Sequence, residues 1–318
     1  MKLNTSKMIF LNVITLSALV SLSVNNWMMI WIMMELALFM MIPLISKNKI
    51  SDQSMKYFII QSTSSYILIF SILCNSMKET NLNSLVCMIS LILKTGMSPF
   101  HAWKPEIMSK MTWKECMLLT TIVKIPPMIL MNSLIKLDLM ILPMILSLAV
   151  GSLGGMNQLN LKKLMAYSSI FNLTWMSSAF LLSKKIMLSF LILYSMLTIK
   201  AMWFFKKQNL IYMNQMSSLP LKMKMSLTLN LLSISGLPPL TGFFPKWIVL
   251  NELLKTSLFI PSMMILTSIA SIFMYIQMNT FTLSNLTIKK KINKISLYSN
   301  LSLLNLFSLP ILYMTWNI

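Results

Sequence analysis

Leu91-Ile92-Leu93-Lys94-Thr95-Gly96-Met97-Ser98-Pro99-Phe100-His101-Ala102-Trp103 is apolar enough for a bilayer but cannot be one continuous helix. Proline removes a backbone donor and clashes with the preceding turn, and Gly96 loosens the chain just before it. A break at membrane depth exposes backbone dipoles, which is tolerated where the break lines a cavity. Lys94, beside the break, can give up its proton at modest cost there, and Thr95 and Ser98 can hold water. A second stretch repeats the design: Ser235-Gly236-Leu237-Pro238-Pro239-Leu240-Thr241-Gly242-Phe243-Phe244-Pro245-Lys246-Trp247. Gly236, Pro238, Pro239 and Gly242 interrupt a segment that stays apolar on both sides, and Lys246 stands next to the interruption. One such break in each half of a chain is the sequence sign of duplicated transporter repeats around an ion path.

The rest of the chain has the composition this reading needs. Of 318 residues, 56% are apolar and 11% charged, against about 25% charge in a typical soluble domain. So few charges cannot cover a water-exposed surface of this size. The chain is therefore read as an all-α polytopic membrane protein. A spanning helix needs about 20 mostly apolar residues. That rule predicts about 11 transmembrane helices, near 8–24, 27–45, 56–76, 82–103, 112–132, 138–156, 166–183, 186–205, 225–254, 258–279 and 297–315. The whole forms a single transmembrane domain, with a first repeat near 27–156, a second near 166–279, and peripheral helices at both ends.

Basic residues outnumber acidic ones 27 to 7, and all of them are lysine. The lack of arginine argues against nucleic-acid recognition. With eleven spans, 18 lysines fall on the side of the N-terminus and 5 on the other. The positive-inside rule then puts the N-terminus on the cytoplasm-equivalent side and the C-terminus opposite. Lys104, Lys110, Lys114, Lys222 and Lys224 are counted among these loop lysines. Four others, Lys94, Lys124, Lys200 and Lys246, lie inside apolar segments or near their ends.

Those four, with Glu35, are the candidate site. A carboxylate midway through the second span is costly unless it is protonated or faces a cation or water. Lys124 lies mid-span, directly before Ile125-Pro126-Pro127, too deep to reach the interface. Lys200 is nearer the end of its span, where snorkelling is an equal reading. His101 is the sole histidine, and its ring suits either proton transfer or a structural hydrogen bond. Lysines with one carboxylate point to proton relay rather than sodium or calcium transport, which needs several acidic oxygens. One histidine and the scattered Cys74, Cys87 and Cys116 supply no haem, iron–sulfur or zinc ligand set.

The stretch Leu93 to Glu106 resembles the signature of the NADH dehydrogenase chain 2 family of mitochondrial complex I, as does Leu237 to Trp247. Glu35-Leu36, Lys124 before its prolines, the tract Gly151 to Gln158, and Tyr167-Ser168-Ser169-Ile170 are further echoes. That family is similar to Mrp-type antiporter subunits. The resemblance implies antiporter-like inverted repeats with two Gly/Pro-broken helices, and an animal form shorter by three helices than the bacterial one. It also implies a core membrane subunit of complex I that translocates protons, coupled to NADH:ubiquinone oxidoreduction. Glu35, Lys94, Lys124 and Lys246 would be the relay, with His101 and Lys200 as secondary candidates. A proton would load near Lys94 and Lys124 and leave by way of Lys246.

By the same resemblance, no redox cofactor or metal is bound by this chain. FMN, iron–sulfur clusters and ubiquinone are expected on other subunits. The implied partners are membrane-arm and supernumerary subunits of complex I and inner-membrane lipids such as cardiolipin, with no nucleic acid. The implied place is the mitochondrial inner membrane, with the N-terminus in the matrix and the C-terminus in the intermembrane space. Two other classes stay open: a structural scaffold of the membrane arm, and a stand-alone cation/proton antiporter.

Overall fold

The computed structural model describes residues 5–46, 51–77, 81–134, 137–238, 240–255 and 257–283. Among these the regular structure is helical; one isolated bridge pairs Asn160 with Tyr212. The chain divides between Ser147 and Leu148 into two compact units.

The first unit holds α1 (Thr5–Ser23), α2 (Trp27–Ser46), α3 (Ser51–Met77), α4 (Asn81–Thr95), α5 (Trp103–Lys110), α6 (Trp113–Thr120) and α7 (Ile125–Leu134). Helices α1 to α4 pack each on the next, and α7 is enclosed by α1, α2 and α4. The division falls within α8 (Leu137–Met156). The second unit continues with α9 (Leu161–Leu182), α10 (Lys184–Lys207), α11 (Leu221–Ser235), α12 (Phe243–Leu254) and α13 (Phe259–Leu283). There α9 packs on α10 and α12, and α13 on α11 and α12.

Helix α3 shows why the bundle suits a bilayer. Its buried face carries Gln61, Ser64, Ser65 and Ser71, while Ile59, Tyr66, Phe70 and Leu73 point outward. In water each exposed side chain of that size would forgo about 1.5–3 kcal/mol of burial; against lipid it loses nothing. The inward hydroxyls are satisfied within the helix, Ser64 on the Gln61 carbonyl and Ser71 on the Leu68 carbonyl, both at 2.7 Å. Small polar residues inside and large apolar ones outside are the pattern of membrane helix packing.

Seven described helical stretches are long and apolar enough to cross a membrane. Helix α9 has the length, but Ser168, Ser169, Asn172, Thr174, Ser177 and Ser178 are all buried along it. A helix enclosed by others need not be apolar. The span expected at 297–315 lies outside the described residues.

Two segments depart from expectation. The span placed at 82–103 stops at Thr95, and its second half is α5, which runs on to Lys110. The span placed at 112–132 is interrupted by a 3-10 turn, Ile122–Lys124, between α6 and α7. Pro126 and Pro127 have no N–H to offer one turn back, so the α-helical ladder cannot run through Lys124. Ile125 bonds to the Ile122 carbonyl instead, and a 3-10 stretch inside a span often marks a functional hinge.

Candidate functional site

Both glycine-containing breaks are built alike. Helix α4 ends where Gly96 takes φ +73 and α11 ends where Gly236 takes φ +85, the left-handed conformation that glycine adopts without a side-chain clash. The N–H groups of Gly96 and Met97 return to the Ile92 carbonyl at 2.9 and 3.2 Å. Those of Gly236 and Leu237 return to the Leu232 carbonyl at 3.2 and 3.4 Å. The last carbonyls of each half-helix still lack partners. Side chains supply them: Gln61 donates to the Lys94 carbonyl at 3.1 Å, and Lys104 to that of Thr95 at 3.1 Å. In the second unit Lys246 donates to the Ser235 carbonyl at 2.7 Å.

The first unit gathers most of the expected site. Lys94 Nζ lies 2.9 Å from Glu35 Oε1, with side-chain exposures of 4% and 15%. Lys124 is 3% exposed, on the 3-10 turn. Two small cavities adjoin these groups. One, of about 10 Å³, is lined by Gln61, Lys94, Thr95, Lys104 and Lys124. The other, of about 20 Å³, is lined by Met34, Tyr57, Gln61, Lys94 and Pro127 among others. A water needs roughly 10–15 Å³ measured this way and two to four polar partners, so each has the room and lining of a single water.

In the second unit Lys246 is buried, its amine 5.4 Å from the centre of the Phe171 ring and 5.5 Å from that of Trp175. Those faces, together with the Ser235 carbonyl, surround the amine with negative partial charge. Lys200 is half-buried on α10. His101 is not among the residues lining either cavity. Its Nδ1 lies 3.3 Å from Ser98 Oγ and 3.2 Å from the Pro99 carbonyl, so its ring ties down the turn of the break. Gly242, at the start of α12, sits against the Ser233 backbone with no space for a side chain. Pro238 falls within the interruption, and Pro239 lies outside the described residues.

Lys104 was missed as a site residue. Placed in a loop by the sequence reading, it is 1% exposed, and its amine is within hydrogen-bonding reach of Lys124. Lys224, also counted as a loop lysine, is 3% exposed on α11. A usable signal for Lys104 was present: it stands eight residues after Gly96, much as Lys246 stands ten after Gly236.

The family described as NADH:quinone oxidoreductase/Mrp antiporter, TM, matches residues 24–274. NADH-ubiquinone oxidoreductase chain 2 of Locusta migratoria is 37% identical over 268 residues, 80% of this chain and 78% of its own. The same chain from Anopheles gambiae is 34% identical over 289 residues, 86% of this chain and 85% of its own. A chain of respiratory complex I from Thermus thermophilus superposes with a TM-score of 0.78 at 17% identity, covering 96% of this chain and 76% of that one. At that identity the likeness speaks for the fold alone.

Proposed function

The chain belongs to the NADH:quinone oxidoreductase/Mrp antiporter family, in its NADH-ubiquinone oxidoreductase chain 2 branch, and from that premise we propose that it is a proton-translocating core subunit of the membrane arm of respiratory complex I. The observation carrying this reading is the gathering of buried lysine amines, one of them ion-paired to Glu35, around two small cavities. The repeats near 27–156 and 166–279 are inverted copies, each contributing one glycine-containing break. Glu35, Lys94 and Lys124 load the proton, and Lys246 is the later station.

The chemistry follows from the geometry. A proton on Lys94 is held in place by the Glu35 carboxylate at 2.9 Å; drawing that carboxylate away frees it. The adjoining cavity has room for one water, which would connect Lys94 to the other amines that line it. The 3-10 turn lets Lys124 shift without breaking a full helix. Quinone reduction elsewhere in the complex supplies the energy, and FMN, the iron–sulfur clusters and ubiquinone belong to other subunits. The membrane is the mitochondrial inner membrane, with the N-terminus in the matrix, the C-terminus in the intermembrane space, and cardiolipin among the lipids at the lysine-rich face.

The test is complex carrying Lys124→Ala, reconstituted in sealed vesicles. Protons pumped per NADH oxidised should fall, while oxidation by uncoupled vesicles persists. Undiminished pumping per electron refutes a relay role and leaves a scaffold. A scaffold and a relay subunit both comigrate with the large NADH-oxidising assembly on a native gel; a stand-alone antiporter does not.

A further inference from the structure

We propose that Lys104 is a further proton-carrying residue, standing between Lys94 and Lys124 and passing a proton from one to the other. This rests on the relay reading above and adds a station to it. Neither a loop position nor a mere packing role fits the surroundings of its amine.

Lys104 lies on α5, the second half of the broken span, with 1% of its surface exposed. Its amine reaches back across the break to the Thr95 carbonyl at 3.1 Å, on the residue just before the left-handed Gly96. Lys246 does the same in the other repeat, to the Ser235 carbonyl just before the left-handed Gly236, at 2.7 Å. An ideal Cβ on Gly96 would approach Lys104 Cδ at 3.2 Å, and one on Gly236 would approach Lys246 Cδ at 3.0 Å. Lys104 therefore occupies in the first break the place that Lys246 occupies in the second. The two breaks differ in what faces the amine. Lys246 faces aromatic rings, whereas Lys104 faces Lys124 and lines the same 10 Å³ cavity as Lys94 and Lys124.

Two hydrogen-bonded lysines cannot both be ammonium ions. An ammonium has three donors and no acceptor, so the bond requires a lone pair on one of the two. The contact is a single N–H···N bond, with at least one of the two amines neutral. The cycle balances with water as the only co-reactant. The Lys94 ammonium gives a proton to a cavity water, and that water gives one of its own to the neutral Lys104 amine. Once Lys124 has released its own proton, Lys104 passes one to the Lys124 lone pair; Lys124 returns to its starting form when it releases that proton onward, and Lys94 when it takes up the next one. While neutral, Lys104 keeps two N–H donors, enough to hold the Thr95 carbonyl throughout.

The test uses the assembled complex in sealed vesicles, with Lys104→Met and Lys104→Arg measured beside Lys124→Ala. Methionine removes the amine. Arginine keeps a cation that can bond the Thr95 carbonyl but does not surrender a proton. Both variants should reduce protons pumped per NADH to the level of Lys124→Ala, and the double variant Lys104→Arg/Lys124→Ala should lose no more. Wild-type pumping by Lys104→Arg overturns the proposal, since a fixed cation then suffices; if Lys104→Met does not assemble, Lys104→Arg alone decides. If Lys124→Ala itself pumps normally, the relay reading fails. If Lys124→Ala is impaired and Lys104→Arg is not, the station at Lys104 fails by itself.

Discussion

Replacing Gly242 by alanine should damage the second break through geometry alone. Gly242 has φ −74, an ordinary helical value, so alanine meets no backbone strain there. Its Cβ, however, would overlap the Ser233 carbonyl oxygen and lie 2.8 Å from the carbonyl carbon. Carbon atoms rest at about 3.5–4.0 Å from one another, so the carbonyl carbon alone calls for a shift of roughly 1 Å; the overlapping oxygen sets the larger demand, and α11 and α12 must separate by more than that. Ser235 lies two residues beyond Ser233, and its 2.7 Å bond from Lys246 would stretch beyond the ~3.2 Å limit of a good N–H···O contact. Overpacking of this kind costs about 1–3 kcal/mol, and losing the lysine's hydrogen bond adds about 1–3 kcal/mol. Together these approach the lower end of the ~5–15 kcal/mol that holds a domain folded. The assay is the fraction of subunit in the assembled complex after graded heating, with pumping measured on what remains. The variant should dissociate at lower temperature, and its surviving complexes should pump poorly. Wild-type thermal behaviour together with wild-type pumping would refute the reasoning, since the close approach of α12 to the Ser233 carbonyl would not then hold Lys246 in place.

Glu35→Gln leaves Lys94 as one half of a buried pair. Such removals cost about 3–5 kcal/mol, so assembly and pumping should both drop; adding Lys94→Gln should restore assembly on a native gel without restoring pumping. Glu115 Oε2 accepts from the Thr112 N–H at 2.9 Å at the start of α6. Glu115→Ala should therefore lower thermal stability by about 1 kcal/mol and leave protons per NADH unchanged.

The sequence exposed the features that rest on local chemistry. Gly96 with Pro99, and Gly236 with Pro238, disfavour a continuous helix by their covalent structure, and both breaks fall where those residues stand. Glu35 and Lys94 are conspicuous because charge is rare in apolar runs, and the fold brings them together from α2 and α4. Lys104 was hidden because Trp103-Lys104-Pro105-Glu106 reads as a polar loop. Only tertiary packing, with α5 tucked against α3, buries that lysine. The 3-10 turn at Lys124 is half legible: the prolines predict a disturbance, but not its form. Helix α9 shows the opposite hazard, because its serines and threonines lower its apolarity while its buried place in the bundle makes that harmless.

The two lysines that bridge the breaks have a mechanical consequence. An amine donates hydrogen bonds whether or not it holds its extra proton, so Lys104 and Lys246 can pin their half-helices together in either charge state. On the proposed relay the joint and the cargo are thereby decoupled: a proton can depart without the scaffold coming undone. An arginine in either place would pin the joint but never unload, and a methionine would do neither. In a chain with 27 lysines and no arginine, the cationic fasteners at both breaks are of the kind that can also let go of a proton.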